Sequence, residues 1–151
     1  MRTQSDHLVR GGALRGSLDT VFTAPLLTRL GRALGTHCLR SDRGRCRFVL
    51  SRAEDARLAP LQLALTQGLI LSGHDVTDLG ERAAPPGGAP HQSARFVIEH
   101  GEGTLLIDLG DGPLSEAELL TICEILDAGA FAIGEGTLER AHRVPPASVT
   151  P

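Results

Sequence analysis

The chain has 151 residues, a formal net charge of −3 and ordinary apolar and charged fractions, which fit one globular domain. The negative charge argues against nucleic acid as the main partner, because nucleic-acid-binding domains usually carry a basic surface. All 15 basic residues are arginines, which excludes Schiff-base lysine chemistry and Walker-type phosphate loops. No apolar run approaches the roughly 20 residues that a membrane helix needs, so no membrane partner is expected.

The cysteines and histidines indicate neither a disulfide framework nor a metal site. Cys38, Cys46 and Cys123 form no Cys-x-x-Cys pair, and their odd number without a signal peptide fits a reducing compartment. We therefore expect a cytoplasmic protein with buried free thiols. The six histidines show no pair at helical ligand spacing, so they predict no metal centre.

The amino-terminal half of the chain predicts a helix-and-strand succession after a polar start. Residues 1–19 are rich in glycine, and two interpretations stay open: a mobile arm, or an anion-binding loop that uses Arg10 and neighbouring amides. Thr23 is the expected N-cap of a first helix, with Pro25 in its first turn. Residues 45–51 then predict a strand, and a second helix follows it.

The carboxyl-terminal half continues the alternation. The second helix, residues 60–72, is followed by an alternating strand at residues 74–79. A proline- and glycine-rich loop then leads to a short predicted helix at residues 90–100. Residues 115–118 form a capping box that begins the next helix, and residues 130–143 are predicted as a turn and a final short helix.

These elements predict one α/β domain. The connections between the predicted strands are long enough for parallel pairing, and right-handed crossovers would place helices on both faces of the sheet. We therefore expect a three-layer αβα domain with a mixed, mostly parallel sheet over residues 1–143. Residues 144–151 are rich in proline and are expected to form a carboxyl-terminal tail.

One strand and its loop are the best candidate for a functional site. Residues 103–109 read GTLLIDL, a short apolar run typical of a buried strand, and the loop Gly110-Asp111-Gly112-Pro113 follows. Ligands of open α/β sheets bind beyond the carboxyl ends of such strands. The loop contains no serine, cysteine, histidine or lysine, so its chemistry does not follow from its composition.

Several short motifs occur in a fixed order over residues 7–130. They are VRG at 9–11, LGRALG at 30–35, DARLA at 55–59, QGL at 67–69 and GHDVTDLG at 73–80. Their order and spacing resemble the first domain of the α-D-phosphohexomutases, the phosphomannomutase/phosphoglucomutase family. The resemblance implies the family's α/β fold and a link to sugar phosphates.

The resemblance also implies a degenerate catalytic loop. The family's next strand ends in a Thr-x-Ser-His-Asn-Pro loop whose serine is the phosphorylated nucleophile. Counted without gaps, the threonine falls on Asp108, the serine on Gly110, the histidine on Asp111 and the asparagine on Gly112, while the proline matches Pro113. Glycine offers no oxygen nucleophile, so mutase activity by this chain alone is not expected.

Two binding roles follow from this comparison. The chain is expected to be a binding, regulatory or oligomerisation module in carbohydrate metabolism, paired with a full-length mutase or with a second copy of itself. Alternatively it binds a sugar phosphate through Arg10, Arg52 and Arg57, since guanidinium groups suit phosphate oxygens. It could also complete a phosphomannomutase/phosphoglucomutase together with other chains, and only then is magnesium expected as a cofactor.

A third hypothesis is that the chain is an enzyme with a different loop chemistry. An aspartyl-phosphate on Asp108 would allow phosphatase-type hydrolysis. Asp108 and Asp111, together with Asp55, are weak candidates for a magnesium site. Ser93, the one serine close to a histidine (His91) near this region, is interpreted as a residue on the face of the predicted helix rather than as a nucleophile.

Overall fold

The computed structural model describes residues 5–81, 92–110 and 112–140. Two short 3₁₀ turns, Asp6–Leu8 and Ala56–Leu58, accompany the regular elements. The strands and helices in chain order are β1 (Val9–Arg10), β2 (Ala13–Ser17), α1 (Ala24–Arg40), β3 (Arg47–Arg52), α2 (Ala59–Leu71), β4 (Asp75–Asp78), β5 (Gln92–Glu99), β6 (Glu102–Asp108), α3 (Glu116–Ala128) and β7 (Leu138–Arg140).

The strands form one seven-stranded sheet in the order β1-β2-β6-β5-β3-β4-β7. Among the described strands, β3 pairs in parallel with β4 and β5, and β4 pairs in parallel with β7. The pairs β1–β2, β2–β6 and β5–β6 are antiparallel. The predicted single α/β domain, built of helices on a mixed sheet, is confirmed.

The helices begin and end where their capping residues predict. Thr23 Oγ1 accepts a hydrogen bond from the Leu26 amide at 3.4 Å, and Ser115 Oγ accepts one from the Glu118 amide at 3.2 Å. Gly129 ends α3 in the left-handed conformation, with φ 74°. These local interactions satisfy amides and carbonyls that a helix end leaves unpaired.

Helix α1 packs against both α2 and α3, and it approaches α2 very closely. A Cβ placed on Gly31 would lie 2.5 Å from the carbonyl oxygen of Leu65, and one on Gly68 would collide with the carbonyl oxygen of Thr28. The two helices therefore meet backbone to backbone. Beneath them lies a core whose largest fully buried side chains include those of Phe22, Phe48 and Phe96.

Three predicted segments have a different structure. From residue 5 onward the start of the chain is not an arm, because β1 and β2 form a hairpin that pairs with β6. The helix predicted at residues 90–100 does not form over its described part, because Gln92 to Glu99 form β5. A turn with positive φ at His100 (54°) and Gly101 (77°) joins β5 to β6. That turn matches the tight connection that a hairpin prefers.

The third difference lies after α3. In place of a final helix, residues 129–137 cross the ends of α1 and α2, and β7 then joins the sheet beside β4. The amide of Ala132 donates to Thr36 Oγ1 at 2.9 Å, and that of Gly134 donates to the Leu71 carbonyl at 2.9 Å. These hydrogen bonds satisfy backbone amides that would bond to carbonyls of the same segment if the predicted helix formed.

The predicted tail at residues 144–151 lies outside the described residues, so it stays a prediction. Within the described ranges, none of the helices has the length and apolar character needed to cross a membrane.

Candidate functional site

The loop after β6 is closed by the carboxylate of Asp108. Its Oδ1 accepts hydrogen bonds from the amides of Gly110 at 2.7 Å and Gly112 at 3.2 Å. A β-bridge joins Asp108 to Pro113, and the amide of Leu114 returns to the carbonyl of Ile107 at 3.2 Å. The carboxylate that the sequence offered as a nucleophile or metal ligand therefore bonds its own loop.

The backbone of this loop requires glycine. Gly110 has φ 110° and Gly112 has φ 103°, a region that residues with a Cβ rarely adopt. The space around Gly110 is open, since the nearest atom to a Cβ placed there is Gln92 Nε2 at 4.0 Å. The choice of residue at position 110 is therefore restricted by the backbone conformation and not by contacts with neighbouring atoms.

The nearest side chains on the next strand are Gln92 and Ser93. Ser93 lies directly opposite Asp108 in the antiparallel β5–β6 ladder. Directly opposed residues share a face of the sheet, with Cβ atoms about 4.5–5.5 Å apart. The interpretation of Ser93 as a helix-face residue is wrong, because the period-two burial of Ala94 and Phe96 belongs to a strand.

Each of the three arginines proposed to bind phosphate has a partner within the chain. Arg10 Nη2 lies 2.6 Å from Glu102 Oε2, and this guanidinium lowers the pKa of the glutamate. Arg57 Nη2 lies 2.9 Å from Asp55 Oδ2, and their hydrogen bond lowers the pKa of the aspartate. The other arginine, Arg52, bonds a neutral amide.

The sheet order keeps Arg10 away from Arg52. Arg10 is on β1 and Arg52 is on β3, which is four strand positions away in the sheet. At about 4.8 Å between neighbouring strands, their backbones are about 19 Å apart. Arg57 follows β3 by a short connection, so it is nearer to Arg52 than to Arg10 in the chain.

Arg52 lies at the carboxyl end of β3, beside the end of β4. Its Nη1 donates to Gln62 Oε1 at 2.8 Å, and Gln62 Nε2 donates to Asp78 Oδ1 at 2.8 Å. Asp78 Oδ1 also accepts from the amide of Gly80 at 2.7 Å. The Nε of Arg52 is buried without a hydrogen-bond partner among the described residues. A buried donor of this kind is uncommon and calls for an acceptor.

Arg57 lines a cavity of about 230 Å³ between the start of α1 and the start of α2. Asp19, whose φ is 74°, is also part of its lining. The remaining lining residues are Leu18, Phe22, Thr23, Ala24, Pro60 and Leu61. The cavity thus has one guanidinium and one carboxylate among mostly apolar lining residues.

No group of three or more potential metal ligands occurs among the residues that the structure describes. Asp108 bonds the loop amides and Asp55 bonds Arg57, while Asp111 lies outside the described residues. A magnesium site built on these carboxylates therefore remains a sequence prediction.

Two further arginines lie on the sheet and did not stand out in the sequence. Arg15 Nη1 lies 2.7 Å from Glu99 Oε1 and donates to Thr104 Oγ1 at 3.2 Å. Arg95 Nη1 donates to Ser51 Oγ at 3.1 Å. Both were missed because their segments were not predicted as strands; the alternation of Arg95 with buried Ala94 and Phe96 was the available indication.

No protein-family model matches the sequence, and no curated protein matches it. Similar solved structures do exist. A phosphoglucomutase/phosphomannomutase family protein from Burkholderia thailandensis matches 93% of this chain and 33% of its own, with TM-score 0.72 and 22% identity. A candidate phosphomannomutase from Thermus thermophilus matches 85% of this chain and 31% of its own, with TM-score 0.62 and 24% identity.

The fold is shared with both proteins. At these identities the likeness establishes the fold alone. The chain spans about a third of the length of each of these structures. The fold that the motif order led us to expect is therefore the one observed.

Proposed function

We propose that this chain is a phosphohexomutase-type domain without the phosphoryl-transfer nucleophile, and that it serves as a binding or regulatory module in sugar-phosphate metabolism. The observation that carries the proposal is the loop of residues 108–113, set on a fold shared with phosphoglucomutase/phosphomannomutase family proteins. The fold supports the link to sugar phosphates. The loop supports the loss of chemistry.

The chemistry of phosphoryl transfer explains why this loop is expected to be inactive. A covalent phosphoenzyme needs an oxygen nucleophile and positive charge around the phosphoryl oxygens. Gly110 has no side chain, and the carboxylate of Asp108 would repel a dianionic phosphate. Because Asp108 already accepts two amide hydrogen bonds, its Oδ1 is also poorly placed to attack phosphorus.

An activity assay tests the inactive state directly. The purified chain is incubated with hexose 1- and 6-phosphates and magnesium, and both isomerisation and phosphate release are followed. We expect neither product. Phosphate release that is abolished by Asp108→Asn would instead support an enzyme that uses an aspartyl-phosphate, and isomerisation would reject the proposal.

Helix α2 provides the surface that favours a binding role. Residues 59–71 contain no charged side chain, and Leu63 and Leu71 remain 45% and 48% exposed. Ile133, next to Leu71 through the Gly134–Leu71 hydrogen bond, is 87% exposed. An uncharged apolar face is best covered by another one, because a charged partner would lose hydration without a compensating ion pair.

We therefore commit to a second copy of the chain as the occupant of this face. Two copies related by a twofold axis would place one α2 against the other, so each apolar face meets its own equivalent. A 13-residue helix is about 20 Å long, which gives a small interface. A weak, concentration-dependent dimer is the expected result.

Sedimentation over a range of concentrations tests the dimer. Leu71→Glu would place two carboxylates in the interface and is expected to give monomers at every concentration. Leu106→Glu is the matched control, because Leu106 is 39% exposed on β6 and lies outside the α2 face. Circular dichroism checks that both variants fold. A parent chain that is monomeric throughout, or dimers that Leu106→Glu also abolishes, would contradict the assignment.

The buried Nε of Arg52 favours a second candidate function, the binding of a sugar phosphate. A phosphate oxygen is an acceptor of the kind that this donor lacks, and it would lie at the carboxyl ends of β3 and β4. Calorimetric titration with hexose phosphates measures it, with Arg52→Gln expected to lose the heat of binding. Arg10→Gln is the control, because Arg10 is bonded to Glu102 at the far side of the sheet. Absence of heat at millimolar ligand would rule the candidate out.

A further inference from the structure

Two of the three cysteines lie at the two ends of the loop that joins α1 to β3. Cys38 is in the last turn of α1, and Cys46 immediately precedes β3. The loop between them folds back on Cys38, whose carbonyl accepts from the amides of Ser41 at 3.2 Å and Gly44 at 3.0 Å. Cys46 Sγ in turn lies 3.4 Å from the Gly44 carbonyl oxygen. The chain thus brings both thiols to one small buried cluster.

The two thiols interact electrostatically. Cys46 raises the pKa of Cys38, and Cys38 in turn lowers the pKa of Cys46 to about 5. The positive charge of Arg43 nearby acts in the same direction on Cys46. Cys46 is therefore the better nucleophile of the pair, because the thiolate is the reactive form.

His74 fixes the position of Cys46. The amide of Cys46 donates to His74 Nδ1 at 2.9 Å, and His74 Nε2 lies 2.8 Å from the Gly35 carbonyl oxygen. Since a carbonyl only accepts, Nε2 carries the proton and the ring is neutral. The ring also packs edge-on against Phe48, with centroids 5.6 Å apart. Cys46 is thereby held against the end of α1.

We propose that Cys38 and Cys46 are a reversible redox pair that closes to an intramolecular disulfide when a small-molecule disulfide reacts with Cys46. In the first step the Cys46 thiolate attacks one sulfur of the small disulfide; that S–S bond breaks, and one small thiolate leaves. In the second step Cys38 gives up its proton and attacks Cys46 Sγ, which releases the second small thiol. Two protein thiols are oxidised and one small disulfide is reduced to two thiols.

The burial of the pair sets the rate. Cys38 is fully buried and Cys46 is 5% exposed, so attack requires a local opening of residues 41–46. That loop contains no helix or strand. Opening it must break the ion pairs Arg43–Glu118 at 3.1 Å and Arg45–Asp75 at 2.8 Å, but it does not require the core to unfold. Cys123 provides the internal comparison. It is also buried, it has no cysteine neighbour among the described residues, and burial raises its pKa to about 12.

The test treats the folded full chain with oxidised glutathione, quenches with acid, alkylates the remaining thiols and maps the peptides without reduction. We expect a Cys38–Cys46 cross-link with loss of two hydrogens, while Cys123 is alkylated. In Cys38→Ser, a glutathione adduct on Cys46 should accumulate, since no resolving thiol remains. In Cys46→Ser, Cys38 should stay unmodified.

Three outcomes would overturn the inference. They are a parent chain that stays fully alkylated, a Cys46–glutathione adduct that persists in the parent, and modification of Cys123 as rapid as that of Cys46. A parallel reaction in guanidinium chloride checks that all three thiols react once the chain is unfolded. Lack of reaction in the folded chain would then mean that the fold prevents it. Circular dichroism of each variant confirms that folding is retained.

Discussion

Two properties of Gly110 determine the local structure of the loop after β6. Its side chain is absent, and its φ of 110° lies in a region that other residues occupy only under strain. Asp108 stabilises this conformation by bonding the Gly110 and Gly112 amides. The local structure of the loop therefore depends on all three residues together.

Serine or alanine at position 110 is expected to destabilise the chain. Gly110→Ser and Gly110→Ala should each lower the free energy of unfolding by about 1–3 kcal/mol, because both force a Cβ into this backbone conformation. Urea denaturation measures the change. Comparing the two variants separates strain from any effect of the hydroxyl. A serine variant that is as stable as the parent would show that the loop relaxes freely.

The position of this loop could be predicted from the sequence, but its internal hydrogen bonds could not. The apolar run before Asp108 and the glycines after it predicted a strand and a turn correctly. What the sequence could not give is the use of Oδ1 as a cap for the loop amides, since that depends on the φ values of Gly110 and Gly112. For the same reason the internal partners of Arg10 and Arg57 emerged only with the sheet order.

Among the elements, α1 and α2 depend most on small residues. Their backbones meet at Gly31 and Gly68, where no side chain fits. Glycine inside a helix usually costs about 1 kcal/mol relative to alanine. Its presence at this crossing is explained by packing, because a Cβ at either position would force the helices apart.

Gly68→Ala is therefore expected to destabilise the protein despite the better helix propensity of alanine. The expected loss is about 2–4 kcal/mol, since the added methyl group meets the Thr28 carbonyl rather than open space. Gln67→Ala is the control, because it adds no volume and Gln67 is exposed on the same helix. Thermal unfolding of the two variants measures the difference. Equal stability would mean that the helices separate without penalty.

Helices were easier to predict than strands, and particular residues show why. Helix ends are marked by local capping residues, here Thr23, Ser115 and Gly129. Their hydrogen bonds and backbone conformation involve only neighbours in the sequence, so they can be predicted from it. β5 was mistaken for a helix, since its pairing with β3 and β6 involves residues far away in the chain. The β1–β2 hairpin was missed for the same reason: β2 acquires its strand character from β6.

On the scale of the whole molecule, the described elements share one core from Leu8 near the start to Leu126 in α3. The edge strand β7 is held to this body by Asp75, whose Oδ1 accepts from Arg45 Nη2 at 2.8 Å and from the Thr137 amide at 3.0 Å. These hydrogen bonds, led by the one from Arg45, lower the pKa of Asp75 to about 2. An ionised carboxylate therefore reinforces the backbone pairing of β7 with β4.

A pH dependence of stability follows from this shift. A carboxyl group whose pKa is lower in the folded state stabilises the protein above its unfolded pKa, about 3.9, and that stabilisation is lost as pH falls towards about 2. Asp75→Asn should be less stable than the parent near neutral pH and should lose less between pH 4 and 2. Asp42→Asn, at an exposed aspartate, is the control. Parallel acid profiles for the parent and Asp75→Asn would contradict the assignment.

The glycine-dependent loop also limits which sequences lie one step away. A single substitution can place a hydroxyl at position 110, but it leaves the backbone in a conformation that favours glycine and leaves Asp108 Oδ1 bonded to the amide of residue 110. A loop with a relaxed serine requires coordinated changes at neighbouring positions. A hydroxyl at position 110 is therefore expected to cost stability unless the neighbouring positions change with it.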